Sequence, residues 1–238
     1  MFTIPRLPIF LHIPDGFLSL PVSAVFWVAT ILVVGLAVRQ TNRSLQESTA
    51  PLMGVLAAFI FAAQMMNFPV AGGTSGHMLG GALAAILVGP WAAVIIMSSV
   101  VGVQALIFQD GGLAALGANI FNMGIATALV GYGVYRLIAT IGRSSRMASL
   151  AGTFAASWLT VMAAALLTSF QLVASETTEL NVVLPAMLGV HALIGIGEGL
   201  IAAGAVSFIL STRPDILRMS PAQPVSAPAY SAIPGEKA

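Results

Sequence analysis

Residues 48–109 carry not one Asp, Glu, Lys or Arg. So long an uncharged run is foreign to the surface of a soluble domain and suits hydrocarbon. Further charge-free stretches follow at 16–38, 111–135, 147–175, 180–197 and 199–212, the last two parted only by Glu198. The 238-residue chain is 7% charged, against about 25% in soluble domains. It is built for a lipid bilayer. A net charge of +1 gives no footing for nucleic acid. Cysteine is absent, which excludes disulfides, thiolate metal sites and a cysteine nucleophile. Any metal must be held by nitrogen or oxygen.

A helix crossing the hydrocarbon needs about 20 apolar residues, so 48–109 holds more than one span. Breaks from Asn67 to Gly76 and at Gly89-Pro90 divide it into 50–67, 77–89 and 91–108. With 18–38, 115–136, 148–173 and 184–211, the expectation is an all-α membrane bundle of seven transmembrane helices over 11–218. An odd count puts the termini on opposite sides. Arg39, Arg43, Arg136, Arg143, Arg146, Arg213, Arg218 and Lys237 then share one side, with Arg6 alone opposite. That side is the cytoplasm, so the N-terminus lies outside and the C-terminus is cytoplasmic. The tail 219–238, rich in Pro, Ala and Ser, is expected to be a disordered cytoplasmic extension. No phosphate-binding Gly-rich loop with Lys is present, so any dependence on ATP must come from a partner.

Two of the three histidines fall on the outer side. His12 precedes the Pro14-Asp15-Gly16 turn, and His77 follows the Gly-rich loop 70–76 and opens the short third helix. Short, Gly/Pro-interrupted segments mark binding sites in transporters. Two imidazoles on one face suggest a transition-metal site. The alternative, each ring bonded to a carbonyl at a helix end, stays open. A His in second position on a chain can chelate through Nδ1, its own deprotonated amide and the terminal amine, in one plane. A further imidazole closes a square that suits Ni(II) or Cu(II) and accepts Co(II).

The blocks HIPDGFLS, GGTSGHMLGGALAAILVGPW, QDGGLAALGANIFNMG and HALIGIGEGLI, in this order, resemble the CbiM/NikM family. This family is the cobalt/nickel substrate-capture component of energy-coupling-factor transporters, and the likeness covers most of 11–218. The resemblance implies that His12 matches the second-position His, His77 the His of the loop, and Leu11 the initiator Met. In a chain beginning at Met1, however, the nitrogen of Leu11 is bonded to Phe10. Three readings remain: translation starts at Leu11, residues 1–10 are removed, or the extension is retained and the site is altered. Arg6 favours the first, because losing 1–10 completes the charge sorting.

The resemblance also implies partners: a transmembrane coupling subunit, two cytoplasmic ATPase subunits and a small accessory membrane protein, all in the bacterial cytoplasmic (inner) membrane. The chain is then no enzyme and has no cofactor of its own. It would take up Co2+ or Ni2+ for cobalamin synthesis or nickel enzymes, with ATP used by the partners. Capture should fall in acid as protons compete for the nitrogens.

Around the metal, Asp15, Thr74, Ser75, Asn119, Asn122, His191 and Glu198 are supporting candidates. Asp15 or Ser19 is expected to cap the first helix. Asn119, Asn122, Gln104 and Thr127 should bond between helices. His191 and Glu198 share a face of the last helix, where packing or hydrogen bonding ranks ahead of metal ligation. A rival class is a rhomboid-like intramembrane serine protease using Ser75 and His191. It leaves HIPDGFLS and QDGGLAALGANIFNMG unexplained. A channel or secondary carrier would need more intramembrane charge than Glu198 alone.

Overall fold

The computed structural model describes residues 12–44, 49–65, 67–70 and 74–219. The expectations for 1–10, Leu11 and the tail after 219 lie outside the described residues. In chain order the elements are α1 (Leu20–Ser44), α2 (Thr49–Gln64), β1 (Asn67–Val70), β2 (Thr74–His77), α3 (Gly81–Val88) and α4 (Pro90–Ile107). Then α5 (Leu116–Ile120) runs through a π-helical turn, Phe121–Ala126, into α6 (Thr127–Ile141). The chain finishes with α7 (Arg146–Ala174), α8 (Leu180–Thr212) and the short α9 (Pro214–Met219).

Five helical stretches are long and apolar enough to cross a membrane: α1, α4, the continuous Leu116–Ile141, α7 and α8. Large apolar side chains on them face outward, among them Leu20, Ile107, Ile141, Leu193 and Phe208. In water these would be aggregation sites; in lipid they are solvated. The protein is an integral membrane protein.

Two sequence expectations need correction. The third span was placed at 77–89, but α3 is only eight residues, rising about 12 Å where the hydrocarbon core is about 30 Å. Alone it falls short of the full core. Nor does His77 open a helix. It ends β2, paired antiparallel with β1 so that Asn67 lies opposite His77. The reasons are local. Gly80 sits at φ 79°, a left-handed conformation that delays helix entry to Gly81. The non-helical backbone ahead of it must find hydrogen bonds, and the hairpin supplies them. Length alone thus identifies five crossings of the seven expected, with α2 a shorter apolar helix.

Every residue from Gly81 to Leu87 is buried. A helix apolar on all sides belongs in the interior, and α3 packs among α4, α6 and α7. Glycine makes the closest approaches. A Cβ on Gly81 would strike Thr127, one on Gly131 would lie 2.8 Å from Ala82, and one on Gly199 would lie 2.7 Å from the Phe154 ring. These faces serve packing within the bundle, as expected for small residues between membrane helices. Asn119 lies ahead of the π turn and Asn122 within it, and the two serve different partners.

Candidate metal site

The loop 12–19 has almost no secondary structure of its own and is held by the segment 110–119. Ile13 is gripped from both sides: its N–H donates to Asn119 Oδ1 at 3.1 Å, and Asn119 Nδ2 donates to its carbonyl at 3.0 Å. The same carbonyl accepts from Gly112 N at 3.0 Å. Asp15 does not cap α1. Its carboxylate accepts from Leu113 N at 3.1 Å and Ala114 N at 2.8 Å, closing the loop onto the opposite segment. From α1, Trp27 donates to the Ala114 carbonyl at 3.1 Å and Thr30 to that of Gly117 at 2.7 Å.

This clasp needs glycine. At Gly112 a Cβ would come within 2.2 Å of the Asp15 amide nitrogen, and at Gly111 within 2.8 Å of His12 Cβ. Gly111 also adopts φ 100°. The roles of Asp110, Gly111 and Gly112 escaped the sequence reading, although they lie in the quoted block QDGGLAALGANIFNMG. The Gly-Gly pair after an acid was the available signal.

The clasp aims His12 at His77. Both residues are about 5% exposed, and their rings meet edge to face, centroids 5.1 Å apart at 84°. His12 Nδ1 donates to the Asp110 carbonyl at 3.0 Å, leaving buried Nε2 without a hydrogen-bond partner. His77 Nδ1 donates to the carbonyl of Met78 at 2.8 Å. The Met78 bond fixes the tautomer of His77 and orients a lone pair on its Nε2, while the Asp110 bond holds the His12 ring in place. Burial also pushes the His12 imidazole below its usual pKa, the Asp110 bond working against it, which keeps the ring neutral as a metal requires. With metal–imidazole bonds of about 2.0–2.1 Å, such ring spacing suits one ion shared between the two. Among the described residues no group of three or more His, Asp or Glu gathers for a metal.

The family model for the cobalt uptake substrate-specific transmembrane region matches residues 12–216. The chain belongs to this family, CbiM. Among CbiM relatives, the cobalt transport protein CbiM of Sorangium cellulosum is 34% identical over 87% of this chain and 94% of its own length. The fused nickel transport protein NikMN of Rhodobacter capsulatus is 37% identical over 90% of this chain and 66% of its own. The crystal structure of a truncated transition metal transporter superposes with TM-score 0.78 at 36% identity, covering 84% of this chain and 98% of that one. CbiM relatives are transporters, which removes the protease reading.

The other candidates are distributed around this CbiM core. Thr74 and Ser75 lie in β2 beside His77, their backbones opposite Val70 and Pro69. Asn122 exchanges two bonds with Gln171, at 2.7 and 2.8 Å, and donates to Thr168 at 3.1 Å. It ties the helix to α7. His191 donates Nδ1 to the Met187 carbonyl one turn back in α8, at 2.7 Å. Glu198 is fully buried, and its partners are backbone amides: Leu79 N at 2.6 Å and Gly80 N at 2.9 Å.

Proposed function

We propose that this chain is the substrate-capture component of an ATP-driven importer, taking divalent cobalt or nickel from outside the cell. The observation that carries the reading is the approach of His12 to His77, both buried, where the N-terminal loop, β2 and the 110–119 segment meet. The names of its CbiM relatives, cobalt transport and nickel transport, supply the cargo.

The bundle carries seven membrane segments with the N-terminus outside. In this scheme α2 and α3, although short, also cross and complete the count, and the histidine face opens outward. His12 and His77 give the two imidazoles. The amide of His12 and an amine on Leu11 complete a planar set of nitrogens, in which the His12 ring exchanges its Asp110 carbonyl bond for the ion. A chain beginning at residue 11 has that amine; in a chain beginning at residue 1 the same nitrogen is an amide. A coupling membrane subunit, two ATPases and a small accessory membrane protein reorient the loaded component toward the cytoplasm. There the metal supplies cobalamin synthesis or nickel enzymes.

The test is metal content and calorimetry of the purified protein with Ni2+ and Co2+, beside His12→Ala and His77→Ala. Each substitution should abolish near-stoichiometric binding and cellular uptake of both ions. Undiminished binding in either variant would overturn the site. Intact mass of the native chain, read together with bound metal, decides whether residue 11 contributes its amine.

A further inference from the structure

Glu198 is a buried carboxyl in the middle of α8, more than a hundred residues in sequence from the site, yet it reaches the strap that carries His77. Its Oε2 accepts from Leu79 N at 2.6 Å and its Oε1 from Gly80 N at 2.9 Å. These are the second and third residues after His77, and they lead into α3, whose N-terminal cap Gly80 has no side chain to offer. A helix N-terminus presents unpaired N–H groups and favours negative charge. The carboxylate of one helix therefore completes the start of another.

The opposite edge of the same peptide is also held. The Leu79 carbonyl accepts from Gln64 Nε2 of α2 at 2.7 Å, and Gln64 Oε1 accepts from Gln104 Nε2 of α4 at 3.0 Å. Gln104 in turn gives its backbone carbonyl to Asp110 N at 3.0 Å, and Asp110 seats His12. All three side chains, Gln64, Gln104 and Glu198, are at most 2% exposed. An unbroken polar line thus runs from the seat of His12, beneath the strap of His77, to α8. Polar groups so deep in a membrane bundle are costly unless they serve a purpose.

We propose that Glu198 is a positioning residue for His77: it clamps the Leu79–Gly80 peptide to α8, with Gln64 holding the other side, and so keeps the His77 ring against His12. This rests on His77 as a metal ligand. Supporting groups around metal ligands typically contribute ten- to hundredfold in affinity. A displacement of α8 relative to α2 and α4 pulls on the strap and loosens the ion, which gives a route from the rest of the bundle to the site.

The test compares wild type with Glu198→Gln, which keeps the shape but turns an NH2 toward one of the two amides. Ni2+ affinity and dissociation rate, the thermal transition of the metal-free protein, and amide hydrogen exchange at 77–83 are measured together. The expected result is a cooperative transition, Ni2+ affinity lowered about ten- to hundredfold with faster release, and faster exchange at Leu79 and Gly80. Glu198→Asp should recover part of the affinity. A folded Glu198→Gln protein with wild-type Ni2+ affinity overturns the proposal. If that variant does not fold, the wild-type exchange decides: protection at Leu79 and Gly80 comparable to the interior of α3 supports the clamp, and loop-like exchange sinks it. Wild-type protein that binds neither ion overturns the functional reading itself, a result distinct from a loss confined to the Glu198 variants.

Discussion

Asn119 and Ile13 are joined by two reciprocal hydrogen bonds across 106 residues of sequence, N–H to Oδ1 at 3.1 Å and Nδ2 to carbonyl at 3.0 Å. A side-chain amide here does the work of a neighbouring strand. It fixes the backbone one residue after His12, and with it the direction of the ring. The pairing saturates the Ile13 peptide in a buried place where an unmade bond costs about 1–3 kcal/mol.

Asn119→Ala should therefore lower the stability of the folded loop by roughly that amount and weaken Ni2+ binding about tenfold or more. Asn119→Asp keeps the acceptor for Ile13 N but loses the donor, and should fall between. Calorimetric titration beside a thermal melt separates the two effects. An unchanged affinity in the alanine variant would contradict the seating role.

Gly112→Ala drives a methyl group into the Asp15 amide and carboxylate, at 2.2 Å before relaxation. The clasp must open. Metal binding should drop as sharply as in Asp15→Ala, which strips the acceptors from Leu113 N and Ala114 N. A double variant should be little worse than either single, since both break one device. Additive losses would show that the two residues act separately.

Gly117 lets α5 touch the backbone of α1: a Cβ there would lie 2.7 Å from Trp27 Cα. Gly117→Ala should cost about 1–3 kcal/mol through overpacking, read as a lower melting temperature in detergent. Gly133→Ala, in open space on α6, is the control and should melt no lower than wild type.

Asn122 and Gln171 form a closed pair between the π turn and α7. A double-mutant cycle with alanine should return a coupling of about 0.6–1.7 kcal/mol, with Ni2+ affinity nearly untouched. His191→Ala should likewise leave binding and uptake at wild-type levels, because its ring is bonded within its own helix and is not part of the His12–His77 pair. Loss of metal in either would draw α7 or α8 into direct contact with the ion.

The long spans could be read from sequence because lipid imposes a uniform demand: every residue along α1, α4, α7 and α8 answers to hydropathy, and charge marks the ends. The two histidines could be read because their spacing from Pro14, Asp15 and the Gly-rich loop is local. The start of α3 was misplaced. Apolar composition continues through Met78 and Leu79, and only the conformation of Gly80 shows where the helix begins.

Asp15 was read as a cap because capping is a rule about neighbours, and its partners are 98 and 99 residues away. Asp110 and Glu198 posed the same difficulty in sharper form. Asp110 seats His12 with a backbone carbonyl, and Glu198 meets two backbone amides. Every residue carries such groups, so a sequence contains no letter for them.

By itself, then, the sequence determined a charge-poor membrane bundle with two histidines at one end, since partition into lipid adds up residue by residue along a chain. That those rings lie 5.1 Å apart was decided by tertiary structure alone. The distance depends on the Gly111-Gly112 turn, on Asn119 gripping Ile13 and on the β-hairpin before α3. Each of these is a pairing that exists only once distant segments have closed on one another.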